Sequence, residues 1–334
     1  LIGDFFSVVQ KMMIMNDGEK HSKQRQAAQL GFEDEIIERF ESKVTETIRL
    51  LLKKAVHKEK FDFMKEIAQK LPSTVLADLF CIPEQDREQF LEWSGTMTAF
   101  FGGAVQYENS DGIKANLAAS SLRNYFQELI NQRRLSPGED YISNLLIAQK
   151  RFDLSDIEII SQAIMMLVAG QVTTTDQIGN IIYLLASRPE LQSFIRTNPD
   201  KIPNVIEELK RFDPAVTFLF RVAKEDCVLG AQTIHAGETL FISTHVQGRQ
   251  DDLHLPNHID PNRNNFQHFA YGHGPHYCLG AKLGRLQIRE LIAGLIEATE
   301  SFDLLLEEKP KRDHYSLSFS GFESLPLKVV SCTP

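Results

Sequence analysis

Cys278 lies in the run Tyr271-Gly272-His273-Gly274-Pro275-His276-Tyr277-Cys278-Leu279-Gly280, between a glycine-rich loop and the start of a helix. The glycines and the proline let this loop turn tightly and let a flat ligand approach its backbone. Beyond it, Leu283, Leu286, Leu291 and Leu295 recur at spacings of three to five, with Arg285, Arg289 and Glu290 between them, which is a helical period. Cys278 is therefore expected at a helix N-terminus, where free N–H groups and the positive end of the helix dipole favour a thiolate over a thiol. A thiolate held in such a hollow is a good ligand for a soft metal or for haem iron. The plain alternative is a buried structural cysteine.

The run resembles the haem-binding loop of the cytochromes P450, Phe-Gly-x-Gly-x-His-x-Cys-x-Gly, and departs from it only at the first position, where Tyr271 stands for Phe. The resemblance implies a b-type haem as cofactor, with Cys278 as the axial ligand of its iron. It also implies that Tyr271, Gly272 and Gly280 shape the loop around the cofactor and that His276 reaches a haem propionate. His21 and Arg25, four apart on a predicted helix, and Arg221 match the other propionate positions of the family. Charge-assisted hydrogen bonds of roughly 1.5–3 kcal/mol each would offset the burial of two carboxylates there.

The segment Ala169-Gly170-Gln171-Val172-Thr173-Thr174 corresponds to the family's Ala-Gly-x-acid-Thr, where small residues bend a long helix over the haem and the acid and alcohol relay protons. Ala169, Gly170 and the alcohol of Thr173 are retained, but Val172 replaces the acid and cannot relay a proton. A positioned relay group is typically worth about 10²–10⁴-fold in rate. Asp176, four residues on and so on the same helical face, is the candidate substitute; a surface or helix-kink role is the alternative. Use of peroxide as the oxidant is another way round the missing acid.

Glu208 and Arg211 sit three apart and so share a helical face. By resemblance they form a buried structural pair. The family's third member of this network is an arginine in a Pro-x-Arg-Phe segment; that segment is aligned here with Pro256-Asn257-His258-Ile259, which makes His258 the expected stand-in.

The elements that must hold these residues are mostly helices. Apolar residues at three- and four-residue spacing predict helices over 32–56, 61–81, 85–101 and 113–134. Ser155-Asp-Ile-Glu158 is a capping-box pattern opening a long apolar helix to about Ser187; Pro189 and Pro203 start two more, and Asp213-Pro214 stops the last. Short strands are expected over 218–223, 227–229 and 239–243, and a hairpin around Gly321 pairing 315–319 with 325–330. The resulting expectation is a mainly α, P450-like fold: a helical body with a small β-rich part. Residues 1–334 are expected to form a single domain of this kind, lacking the family's N-terminal portion.

With 334 residues and 43% apolar content the chain can bury a large core. A net charge of −9 with scattered Lys and Arg argues against nucleic acid as a partner. Cys81, Cys227, Cys278 and Cys332 show no paired spacing, which suits a reducing, cytoplasmic setting. Apolar stretches such as 163–170 are too short to span a bilayer, so no membrane is expected in the visible chain.

The resemblance implies a soluble, bacterial-type, monomeric haem-thiolate monooxygenase. It would oxidise a small, mainly apolar substrate, free or bound to a carrier protein, in secondary metabolism. No flavin or nicotinamide fingerprint is present, so electrons would come from a ferredoxin or flavodoxin, with Lys282, Arg285 and Arg289 as candidates to meet it. Phe100 to Val105, Met165 to Ala169, Val216 to Leu219 and Ser318 to Phe322 are candidate pocket segments. Two rival readings remain at this stage. One is a non-catalytic haem-binding or adaptor relative. The other is a zinc site built from His254, His258, His268, His273, His276 and Cys278.

Overall fold

The computed structural model describes residues 2–101, 109–250, 254–264, 267–313, 316 and 318–332. Its first half is helical: α1 (Gly3–Val9), α2 (Gly18–Gln29) and α3 (Asp34–Val56) precede a short strand, β1 (Lys60–Asp62). Helix α3 shows why the pattern folds this way. Ile36, Phe40, Val44, Ile48 and Leu52 fall on one buried face, and Lys53 and Lys54 sit at the negative end of the dipole.

A π-helical turn at Met64–Ala68 leads into α4 (Lys70–Leu79), followed by α5 (Arg87–Phe101), α6 (Asn109–Leu135) and α7 (Tyr141–Phe152). The helix expected over 61–81 is thus broken at its start. Asp62 Oδ1 accepts from the amides of Met64, at 3.0 Å, and Leu325, at 3.1 Å, and this ties β1 into a sheet instead.

Helix α8 (Asp156–Ala186) opens as its capping pattern predicts, with Glu158 accepting from the Ser155 amide at 3.0 Å. It packs against α4, α5, α6 and α7, and then against α9 (Pro189–Thr197) and α10 (Ile202–Phe212). Contrary to the expectation from 163–170, α8 is long and apolar enough to cross a membrane, but most of its apolar surface is buried inside the protein.

The strands β2 (Phe218–Val222), β3 (Cys227–Leu229), β4 (Gln232–Ile234) and β5 (Thr239–Ser243) come next, β2 pairing antiparallel with β5 and β3 with β4. A single turn, α11 (Thr244–Gln247), precedes the Cys278 loop, and α12 (Ala281–Ala298) follows it, packed on α3 and α10. The chain continues through β6 (Thr299–Leu304), β7 (Lys311–Arg312), β8 (Phe322–Ser324) and β9 (Pro326–Ser331).

The predicted hairpin around Gly321 is replaced by longer-range pairing. Strand β9 lies between β1 and β6, while β8 pairs with β7. Phe319 makes only an isolated bridge to Val216, and residues 315 and 317 of that prediction lie outside the described residues. One hydrophobic cluster, running from Phe5 through α8 to Val329, underlies these elements.

Candidate cofactor site

The Cys278 loop is closed by its own backbone. The Cys278 amide donates to the Tyr271 carbonyl at 2.8 Å, Gly272 N–H to Phe269 O at 2.9 Å, and Tyr277 N–H to Gly274 O at 3.0 Å. Gly272 (φ 72°) and Gly274 (φ 75°) occupy the left-handed region, where a side chain would be strained. Gly280 is the N-cap of α12, so Cys278 stands two residues before that cap, and the Gly280 amide favours its ionised sulfur.

The Cys278 side chain is exposed in surface area yet has protein packed densely around it, as a group at the floor of a concavity has. Burial pushes its thiol above the ordinary value; the Gly280 amide and the charges of Arg25, Arg285 and Lys210 pull the other way without prevailing. The helix terminus and these cations thus favour a thiolate, as expected, but burial opposes them.

A charged network braces the loop from behind. Lys210, only 1% exposed, donates from Nζ to Glu207 Oε1 and to Tyr271 Oη, both at 2.8 Å. Arg285 grips Glu207 with two nitrogens at 3.0 and 2.8 Å and donates to Tyr277 Oη at 3.2 Å. The two cations face the Tyr271 ring at 4.7 and 4.5 Å from its centre. Burial lowers the Lys210 pKa to about 8 against the pull of Glu207. Burial pushes the Glu207 carboxyl up, but the neighbouring His268, Arg285 and Lys210 outweigh it and hold Glu207 far below the usual range.

Of the predicted propionate residues, three are brought together. His21 and His276 lie ring to ring, 4.1 Å between centres, and Arg25 donates to the Tyr277 carbonyl at 2.6 Å, next to Cys278. His21 is 5% exposed, and its Nε2 has no hydrogen-bond partner among the described residues. Burial, then the charges of His276 and Arg25, lower its pKa. A buried, unpartnered donor beside an arginine and a second imidazole fits a carboxylate-bearing group, so the residues present suit haem. The fourth, Arg221, lies on exposed strand β2, where its guanidinium donates to the Phe220 carbonyl at 2.7 Å; among the described residues no hydrogen bond joins it to the other three. Asp17, which sequence reasoning missed, accepts from His276 Nε2 at 3.1 Å and lies 3.7 Å from Lys224. Its position as the N-cap of α2, four residues before His21, was the available signal.

Helix α8 is buried on either side of residues 169–174 but opens there: Ala169 is exposed, and Gly170 to Thr174 are half-buried. A Cβ on Gly170 would lie 3.1 Å from the Leu76 side chain on α4, so the two helices approach closely here. Gln171 ties the helix to its neighbours, accepting from Ser94 at 2.8 Å and donating to Ser73 at 3.3 Å. Thr173 Oγ1 donates to the Ala169 carbonyl at 2.6 Å, a bond back along the helix.

Asp176 is 7% exposed and packs under Gly321, where a Cβ would fall onto its carboxylate. Burial raises its pKa to about 7, with Asp313 adding to the shift and Arg312 opposing it. No hydrogen bond joins Asp176 to Thr173 among the described residues.

The segments 216–219 and 318–320 form one half-buried rim, with Thr217 N–H donating to Ser318 O at 2.9 Å and Ser320 N–H to Ala215 O at 2.8 Å. Within 165–169 only Ala169 is exposed, and 102–105 of the other pocket segment lie outside the described residues.

Glu208 and Arg211 are fully buried and doubly bonded, at 2.7 and 2.8 Å. The third member is Arg263, whose Nε donates to Glu208 Oε2 at 2.9 Å. His258 gives only its carbonyl, to Arg211 at 2.9 Å, which corrects the expected substitution. The signal for Arg263 was present in Pro261-Asn262-Arg263, which starts five residues after the proline of the segment chosen. The residues expected to meet an electron donor carry acid partners: Lys282 pairs with Asp34, Arg285 with Glu207, and Arg289 with Glu41 and Glu290. Among the described residues no group of three or more His, Cys, Asp or Glu side chains is arranged to hold a metal, which leaves the zinc reading without a site.

A family model described as Cytochrome P450 matches residues 7–203 and 202–329. The biotin biosynthesis cytochrome P450 of Bacillus subtilis (strain 168) is 30% identical over 97% of this chain and 81% of its own length. The mycinamicin IV hydroxylase/epoxidase of Micromonospora griseorubida is 35% identical over 80% of this chain and 66% of its own. Among solved structures, P450BioI in complex with hexadec-9Z-enoic acid ligated acyl carrier protein superposes with a TM-score of 0.92 at 29% identity, covering 98% of this chain and 84% of that one. The Bacillus subtilis 168 bacillaene polyketide synthase cytochrome P450 PksS superposes with a TM-score of 0.88 at 26% identity, covering 99% and 84%.

Proposed function

Because this chain belongs to the cytochrome P450 family of haem-iron monooxygenases, we propose that it oxidises, chiefly by hydroxylation, a small and mainly apolar molecule of secondary metabolism, using electrons from a ferredoxin-type donor. The names of its relatives, which include biotin and polyketide biosynthesis and a complex with an acyl carrier protein, support a biosynthetic substrate, free or carrier-bound.

The bound haem iron supplies the reductive activation of dioxygen. Cys278 holds the iron through its sulfur, and the Gly280 amide steadies that sulfur. His21, Arg25 and His276 neutralise and orient the carboxylates of the group; the unpartnered Nε2 of His21 beside Arg25 and His276, all next to Cys278, is the observation that carries this reading. The half-open stretch 169–174 of α8 and the rim 216–219 with 318–320 supply mostly small and apolar surface for substrate.

Proton delivery falls to Thr173 and Asp176, Val172 having no proton to give. A carboxyl that changes its proton near neutral pH supports that role for Asp176. Val172 in place of the usual acid supports a second reading, in which peroxide serves as the oxidant and the relay is bypassed.

The test is the visible spectrum of the haem-loaded, reduced, carbon monoxide-bound protein. A strongly red-shifted Soret band is expected, and Cys278→His is expected to abolish the shift in folded protein. A wild-type band without the shift would refute Cys278 ligation.

A further inference from the structure

The brace behind the Cys278 loop contains a departure that the oxygenase reading leaves unused. Where the resembled loop has Phe, Tyr271 presents a hydroxyl, and that hydroxyl receives a fully buried lysine, Lys210, at 2.8 Å. A phenylalanine would leave this ammonium with Glu207 as its acceptor, so tyrosine and lysine form a matched pair.

The same ring is faced by Arg285, and its main-chain carbonyl receives the Cys278 amide. Glu207 supplies one negative charge to two cations, Lys210 and Arg285; His268 Nε2 stands 3.3 Å from Glu207 without a well-directed hydrogen bond. One carboxylate against two cations leaves the brace with a net positive charge, and Arg25, bonded to the Tyr277 carbonyl, adds another.

We propose that Lys210 is a positioning residue that, through Tyr271 and together with Arg285, keeps a net positive charge behind Cys278 and raises the reduction potential of the thiolate-ligated iron. The proposal rests on the ligation of iron by Cys278. The physical basis is general: an electron added to the iron is stabilised by a nearby cation, and a buried charge acts at a lower effective dielectric than one in water. Removing Lys210 leaves Glu207 and Arg285 balanced and lowers the potential. Neutralising Glu207 leaves both cations uncompensated and raises it. A merely structural brace would not move the two variants in opposite directions.

The measurement is a spectroelectrochemical titration of haem-loaded wild type, Lys210→Met and Glu207→Gln, each first checked for the red-shifted carbon monoxide band. Lys210→Met is expected to shift the ferric/ferrous equilibrium about three- to tenfold toward ferric, about 30–60 mV downward at 59 mV per tenfold, and Glu207→Gln to shift it upward by a similar factor. Both differences are expected to persist at high salt, because the groups are buried. Should Lys210→Met fail to hold haem, the upward shift in Glu207→Gln decides alone. Equal potentials, or shifts of the same sign, in variants that retain the band would overturn the inference while leaving Cys278 ligation intact. Loss of the band in wild type would overturn both.

Discussion

At the scale of single residues, what could be read from the sequence was whatever lies close in the chain to a distinctive pattern. Cys278, His276, His21 and Arg25 were all identified in advance, and the last three gather beside the cysteine. Lys210 was not identified, because a lysine between Leu209 and Arg211 on an amphipathic helix has no local mark that separates a buried ammonium from a solvated one. Its second hydrogen-bond partner, Tyr271, is 61 residues away.

Asp176 permits a prediction at this scale. Its folded pKa is about 7 against an ordinary value of 3.8, so between these pH values the folded protein keeps a proton that the unfolded chain has released. Stability should therefore fall as pH rises from about 4 to about 7, at up to 1.36 kcal/mol per unit and roughly 4 kcal/mol in all. Asp176→Asn should flatten that slope in denaturation curves measured across the window. If the carboxyl also delivers protons, the same variant should lose about 10²-fold in oxygen-driven turnover with little change when peroxide is the oxidant. An equal loss with both would mean that Asp176 shapes the pocket instead.

At the scale of elements, helices were legible because a 3.6-residue period is written within each of them, as in α3 and α8. The start of the 61–81 helix failed because Asp62 prefers partners that include Leu325, and no local window contains that information. The buried network of α10 shows the same limit. Glu208 and Arg211 could be paired by spacing alone, whereas Arg263 had to be chosen from several candidates in an irregular segment.

Arg263→Ala should leave the buried Glu208 carboxylate short of a charged partner and cost about 3 kcal/mol, the lower end of the range for breaking a buried pair, since Arg211 remains. His258→Ala, which preserves the carbonyl used by Arg211, should stay within about 0.5 kcal/mol. Thermal unfolding of the two haem-loaded variants checks this: a fall of about 5 °C is expected for the first and almost none for the second. The reverse order would restore His258 as the third member.

At the scale of the whole molecule, the site is assembled from regions that are distant in sequence. Helix α2 supplies His21 and Arg25, α8 the half-open stretch, α10 the buried lysine, and the loop before α12 the cysteine. One core cluster runs beneath all of them, so a change in packing at α8 can be felt on both sides of the site. The fold class was legible because most of these elements are helices and because the Cys278 loop is specific. The sheet β1-β9-β6 was not, since its order joins residues 60–62 to residues 326–331.

That strand order also has a consequence for how the protein is made. During synthesis, β1 emerges from the ribosome early, but the strand that covers it is translated more than 260 residues later. At about 5–20 residues per second, the edge of β1 and the neighbouring apolar side chains wait some tens of seconds for their partner. Over that interval the nascent chain carries an edge whose partner in the folded protein, β9, has not yet been made.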